Sequence, residues 1–145
     1  MSTIDARTKA NEYYACFTMV GEFEPNDITT RLGIKPTDCW KKGDRNERTH
    51  IERKFSRWSL YTRLDRSEVL EAHVDDVLEQ LQPIREKIVD LRNEVDGGMQ
   101  LVAFFHRGYP GLHFEVPTLS KLAAMNLSMD MDFYYLYSDK REDSE

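Results

Sequence analysis

Cys39 is the residue best placed by its neighbours to do nucleophilic chemistry. It stands between Asp38 and Trp40, with Lys41 and Lys42 following. Nearby ammonium groups favour the thiolate, which is the reactive form of cysteine. A thiol nucleophile also needs a base, and the nearest histidine along the chain, His50, lies in another part of the same loop. Asp130 and Asp132 are spaced by two residues in an alternating run and so share one face of a strand. Paired carboxylates can hold a divalent cation or do acid–base work. A metal needs more ligands than two, and the simpler reading is the solvated face of an amphipathic strand. His106 and His113 flank a Gly- and Pro-rich turn and can approach across a hairpin. Cys16, inside an apolar run, reads as a small core residue, and His73, beside a helical apolar stripe, as structural. No catalytic residue, metal ligand or cofactor is assigned from these groups.

The stronger signal is for binding. From Lys41 to Arg57 the chain carries seven cationic side chains, Lys41, Lys42, Arg45, Arg48, Arg53, Lys54 and Arg57, against Asp44, Glu47 and Glu52. A basic loop in an acidic protein can meet an anionic surface, and Trp40 and Phe55 at its ends can stack. The candidate binding residues are Trp40, Lys41, Lys42, Asp44, Arg45 and Arg48. The alternative reading is a solvated loop balanced by acidic helix faces. Trp40 itself packs under the turn before Gly43 or anchors an interface; core packing is the simpler of the two. Gly43 and Asp44 read as a turn.

The composition restricts the function classes. The chain has 145 residues and a net charge of −6, which suits one domain and argues against nucleic acid or anionic membrane as the main partner. Two cysteines without a paired motif give no disulfide framework and no zinc knuckle. The N-terminus lacks the apolar stretch of a signal peptide, and no apolar run is long enough to span a bilayer. A cytoplasmic protein is expected, monomer or homodimer. Residues 1–12 read as a loose N-terminus, 13–137 as a single α+β domain, and 138–145 as a charged loose tail.

Several elements must position the candidate groups. Tyr13 to Val20 is apolar on both alternating faces, as in a central strand buried on both sides. Pro25 opens a short helix bearing Ile28 and Leu32, and Gly33 closes it in a left-handed cap ahead of Pro36. Phe55 to Leu64 alternates as a strand. Ser67 to Val95 carries an apolar stripe at helical spacing, with Asp65 and Glu68 as a capping-box start, Gly97-Gly98 as its end, and Pro83 as a break. Strands are expected at Gln100–His106, at Leu112–Val116 and at Ser128–Tyr137. A short helix spans Pro117 to Met125, with Asn126 suited to a left-handed cap. The expected core is Tyr14, Cys16, Phe17, Val20, Ile28, Leu32, Trp58, Leu60, Leu70, Val74, Val77, Leu81, Ile88, Leu101, Ala103, Phe105, Leu122, Met131 and Phe133. The fold class is α+β: a four- to five-stranded, largely antiparallel sheet covered on one face by a long broken helix, with two short helices. A ferredoxin-like arrangement is the nearest familiar topology.

The run Pro25-Asn26-Asp27-Ile28, then Leu32-Gly33-Ile34-Lys35-Pro36, Trp40-Lys41-Lys42-Gly43-Asp44 and the closing Asp130-Met131-Asp132-Phe133-Tyr134 resembles the bacterial domain of unknown function family 4279. The resemblance covers roughly residues 13 to 137. It implies a small α+β domain and supplies no activity and no catalytic residues. The functional expectation is therefore a non-enzymatic binding module acting on another protein, adaptor- or immunity-like. The alternative is a small ligand-binding domain or enzyme with its site at the Cys39–Asp44 loop.

Overall fold

A computed structural model describes residues 9–137. The first strand, β1 (Glu12–Gly21), is followed by α1 (Pro25–Leu32), β2 (Asp38–Trp40) and β3 (Ser56–Tyr61). Then come α2 (Leu70–Leu81), a 3-10 turn (Gln82–Ile84), α3 (Arg85–Arg92), β4 (Asp96–Phe105), α4 (Val116–Ala124) and β5 (Ser128–Tyr135). The five strands form one sheet in the order β2-β3-β1-β4-β5. The first four are antiparallel to their neighbours, which is the ferredoxin-like β-α-β-β-α-β arrangement. The α4–β5 unit extends it with a strand parallel to β4.

Local chemistry sets several boundaries as expected. Pro25 occupies the first turn of α1, and Gly33 ends it at φ 74° with its N–H donating to the Thr29 carbonyl. Pro83 sits in the 3-10 turn that separates α2 from α3, where a continuous helix would lose a hydrogen bond. Asn126 takes φ 58°, and the Leu127 N–H reaches back to the Leu122 carbonyl at 3.0 Å to close α4.

Other boundaries move, each for a tertiary reason. The second expected strand stops at Tyr61 rather than Leu64. The Arg63 N–H leaves the ladder to donate to Asp76 on α2 at 2.8 Å. The strand β2 has only three residues and no apolar alternation, so its pairing with Trp58 and Arg57 left no pattern in the sequence. The capping box does not form: Asp65 instead accepts from the Ser67 N–H at 3.0 Å, and α2 begins at Leu70. Gly97 and Gly98 lie inside β4, not at a helix end. A Cβ on Gly98 would meet Ser128 Oγ at 2.5 Å and its carbonyl oxygen at 2.7 Å, so glycine is what lets β5 pack against β4. Leu112–Val116 forms no strand, because the segment finds no ladder partner; α4 starts at Val116. The N-terminal segment is ordered at its inner end, where Asn11 Oδ1 accepts from the His106 and Arg107 N–H groups at 2.7 and 2.8 Å. Residues 1–8 and the tail 138–145 lie outside the described residues.

All four helices pack on one side of the sheet. Ala15, Phe17, Met19, Trp58, Leu60, Met99 and Leu101 face Leu70, Val74, Val77, Leu78 and Leu81 of α2, with Ile88, Leu91, Ile28, Leu32 and Leu122 completing the core. The cluster takes in Phe133 as a partly buried member. Four expected core residues lie elsewhere. Tyr14 and Val20 are half-buried and Cys16 is fully buried on the other face of β1, and Met131 is 53% exposed on β5, which has a neighbour on one side only among the described residues.

Candidate functional site: the uncovered sheet face

Because the helices take one face, the alternate residues of every strand point to a face that no helix of the described residues covers. The strand registers align these residues in rows. Asp38 and Trp40 of β2 lie beside Ser59 and Arg57 of β3; Thr18 and Val20 of β1 follow, and then Gly98 and Asp96 of β4. One step along, Tyr61, Cys16, Gln100 and Asp130 form a row across four strands. The reading of β1 as buried on both sides is corrected here: its second face is roofed by side chains of the sheet itself.

Arg57 is the centre of that roof. Its Nε donates to Ser59 Oγ at 2.8 Å; its Nη2 donates to Gln100 Oε1 at 3.0 Å and Thr18 Oγ1 at 3.2 Å, with Cys16 Sγ at 3.9 Å. Gln100 in turn donates to Asp132. Every acceptor of Arg57 is neutral, and among the described residues it makes no ion pair with a carboxylate. The guanidinium is therefore fixed in place while its charge remains open to a ligand. Cys16 lies beneath it, fully buried; burial pushes its thiol up, against the opposing pull of Thr18 and Arg57. A cavity of about 290 Å³ opens beside the network, lined by Thr18, Arg57, Gly98, Gln100, Ser128 and Asp130 among others.

The other end of the face is aromatic. Tyr61, Tyr14, Phe104 and Tyr134 come from β3, β1, β4 and β5 and make a continuous ladder. Their successive ring centroids are 5.7, 6.4 and 5.1 Å apart. The Arg66 guanidinium lies 4.9 Å from the Tyr14 ring and 5.6 Å from that of Phe104. Burial raises both the Tyr14 and the Tyr61 hydroxyl, so they remain neutral donors at physiological pH.

The candidate binding residues divide by position. Trp40 is outside the core: its Nε1 donates to the Phe55 carbonyl at 3.1 Å, and the Arg53 guanidinium stacks 3.7 Å over its ring. That places it on the rim of the uncovered face, 5.4 Å from the Arg57 guanidinium. Lys41 and Lys42 pair with Glu24 and Glu22 at the start of α1 and the end of β1. Asp44 Oδ2 caps the Lys41 N–H at 2.9 Å, and Arg45 Nη1 holds the His50 carbonyl at 3.0 Å. With the Arg45–Glu52 bridge, these contacts build a hairpin. Its tip is a turn in which Asn46 Oδ1 accepts the Arg48 N–H at 2.8 Å. The expected basic loop is thus a built hairpin in which Lys41 and Lys42 already have counter-charges.

The catalytic candidates do not assemble. Burial, then Asp38 and Asp44, pushes the exposed Cys39 thiol up, opposite to the activation that the lysines suggested. His106 Nε2 faces Glu12 Oε1 at 3.3 Å and His113 Nε2 faces Glu115 Oε1 at 3.2 Å, so the two imidazoles have separate partners. Among the described residues no group of three or more His, Cys, Asp or Glu is arranged to hold a metal, and no helix is long and apolar enough to cross a membrane.

Gln100, Tyr61, Phe104 and Tyr134 were not singled out from sequence, and Arg57 was read only as one cation of the basic loop. The strand β3 leaves a trace, with Arg57, Ser59 and Tyr61 alternating against Trp58 and Leu60; on β1 and β4 the alternate positions include Val20, Val102 and Phe104 and read as apolar. Only the strand order shows that those positions share one surface.

The family described as Domain of unknown function (DUF4279) matches residues 11–136 of the chain. No curated protein and no solved structure matches it.

Proposed function

The chain belongs to this family of domains of unknown function, and from that premise we propose that it is a non-enzymatic binding module that engages a protein partner through the uncovered face of its sheet. The observation that carries the reading is the four-ring ladder with Arg66 packed over it. Tyrosine, tryptophan and arginine are the side chains that dominate binding energy at protein interfaces. Here the rings are presented on strands and Arg66 packs over them from the turn that follows β3, so little side-chain freedom remains to be lost on association. Trp40 extends the same surface at its rim.

The test is capture of partners from the native host by the tagged chain, compared with a Tyr61→Ser, Arg66→Ala double variant. The ladder residues lie outside the helix-side core, so the variant is expected to melt at a similar temperature. Its affinity for the captured protein should fall at least roughly tenfold, as loss of one or two hot-spot side chains does. Undiminished capture by the folded variant would sink the proposal. A small-ligand site is the second reading. The Arg57 cavity favours it, displacing it from the Cys39–Asp44 loop.

A further inference from the structure

We propose that the outer edge of β5 receives an extended segment of the protein partner as an added strand, and that this segment carries lysine or arginine at alternate positions. The inference rests on the binding-module reading and names where and how the partner docks.

Among the described residues, the strand β5 is hydrogen-bonded on one side only, to β4. The Leu136 N–H donates to the Phe105 carbonyl at 3.0 Å. Because successive N–H groups of a strand point to opposite sides, those of Met129, Met131, Phe133 and Tyr135 point away from β4. Strand edges of this kind are ordinarily blunted by proline, charged side chains, a bulge or a short length, and Asp130 and Asp132 are the only such device here. This one runs for eight residues, Ser-Met-Asp-Met-Asp-Phe-Tyr-Tyr, without proline, glycine or lysine, and its register with β4 is unbroken.

The side chains along the edge define what fits. On the uncovered sheet face stand Ser128, Asp130, Asp132 and Tyr134; on the opposite face Met131 and Tyr135 are 53% and 59% exposed. Among the described residues no cation pairs with Asp130 or Asp132. A second copy is a poor occupant. Antiparallel self-pairing that keeps each face on its own side, in the two registers that align most of the strand, sets Asp130 against the copy's Asp132 or Asp132 against the copy's Asp132. Like charges directly opposite destabilise a strand pair. A strand with cationic residues toward Asp130 and Asp132, and apolar ones toward Met131 and Tyr135, satisfies the free backbone groups, both carboxylates and both exposed apolar side chains. This is strand addition, in which backbone bonds supply affinity and alternate side chains supply choice.

The probes are two capped octapeptides, one alternating lysine and valine and one alternating glutamate and valine. Binding is measured by calorimetry, and amide exchange by NMR on the full-length chain. The lysine peptide is expected to bind and to slow exchange at the Met129, Met131, Phe133 and Tyr135 amides. The glutamate peptide should bind roughly tenfold more weakly or worse, and Asp130→Lys, which leaves one cation beside Asp132, should remove the preference. Met131→Pro deletes one outward N–H while sparing the β4 ladder, a substitution that edge strands tolerate, and should abolish binding at an unchanged fold. Equal affinity for the two peptides, binding without slowed exchange at those four amides, or amides already protected in the free chain would each overturn the proposal. If Asp130→Lys and Met131→Pro leave partner capture intact while the Tyr61→Ser, Arg66→Ala variant loses it, the sheet-face reading stands and the edge proposal falls.

Discussion

Replacing Asp76 by asparagine should destabilise the domain by about 2 kcal/mol. Asp76 is 8% exposed on α2 and gathers the chain where β3 ends. Its carboxylate accepts the Arg63 N–H at 2.8 Å, Arg63 Nη2 at 2.7 Å and Nε at 3.1 Å, and Gln80 Nε2 at 3.1 Å. Asp76→Asn keeps the shape but puts an N–H₂ group where one oxygen accepts these donors. The Arg63 side chain is 58% exposed and can return to water, so the ion pair itself contributes little. The loss comes from donors left without a charged acceptor, and hydrogen bonds to charged groups are worth about 1.5–3 kcal/mol. For a chain of this size that corresponds to a melting temperature lower by roughly 4–8 °C. Urea titrations at neutral pH should show a shifted midpoint with an unchanged slope. Burial would raise the Asp76 carboxyl, but the Arg63 side chain and backbone outweigh it and hold the group below its usual range. A carboxyl lowered in the folded state contributes stability that is complete above its unfolded value and is lost as pH falls through the folded one. The gap between native chain and variant should therefore close below about pH 4. A difference under about 0.5 kcal/mol, or a gap that persists unchanged in acid, would refute the reasoning.

The remaining predictions concern one glycine and one buried imidazole. Gly98→Ala would drive a methyl group into the Ser128 backbone. It should cost about 1–3 kcal/mol, with amide exchange accelerating in β5 more than in β1. His73 is fully buried, its Nδ1 at 3.0 Å from Thr62 Oγ1 and its Nε2 without a hydrogen-bond partner among the described residues. Burial pushes its imidazole below the ordinary value, although Glu68, Asp76 and Asp65 oppose the shift. Below about pH 6.5 the unfolded chain takes up a proton that the folded chain refuses. Stability should therefore fall with pH from there, before the Asp76 window is reached, and His73→Gln should flatten that part of the profile. Superimposable profiles for the two chains between pH 4.5 and 7 would rule this out.

Some of this architecture was legible along the chain because its causes are local. Pro25, Gly33, Pro83 and Asn126 act on the backbone within a turn of where they stand, so they mark the ends of α1 and α4 and the break after α2 in any context. The apolar stripe of α2 and α3 and the apolar side of β1 follow from periodicity, and they imply an α+β sheet with helices on one side. The uncovered face has no such local cause. Arg57, Thr18, Gln100 and Asp132 belong to four strands far apart in sequence, and only the order β3-β1-β4-β5 brings them into one network. Likewise Tyr14 looks like core until β1 is seen to have one uncovered face, and Met131 until β5 is seen to be an edge. The period of two says that a strand has two faces. Which face meets helices, and which strand is left without a neighbour, depends on pairings between distant segments. Those are settled by the combined burial and hydrogen bonding of the whole chain.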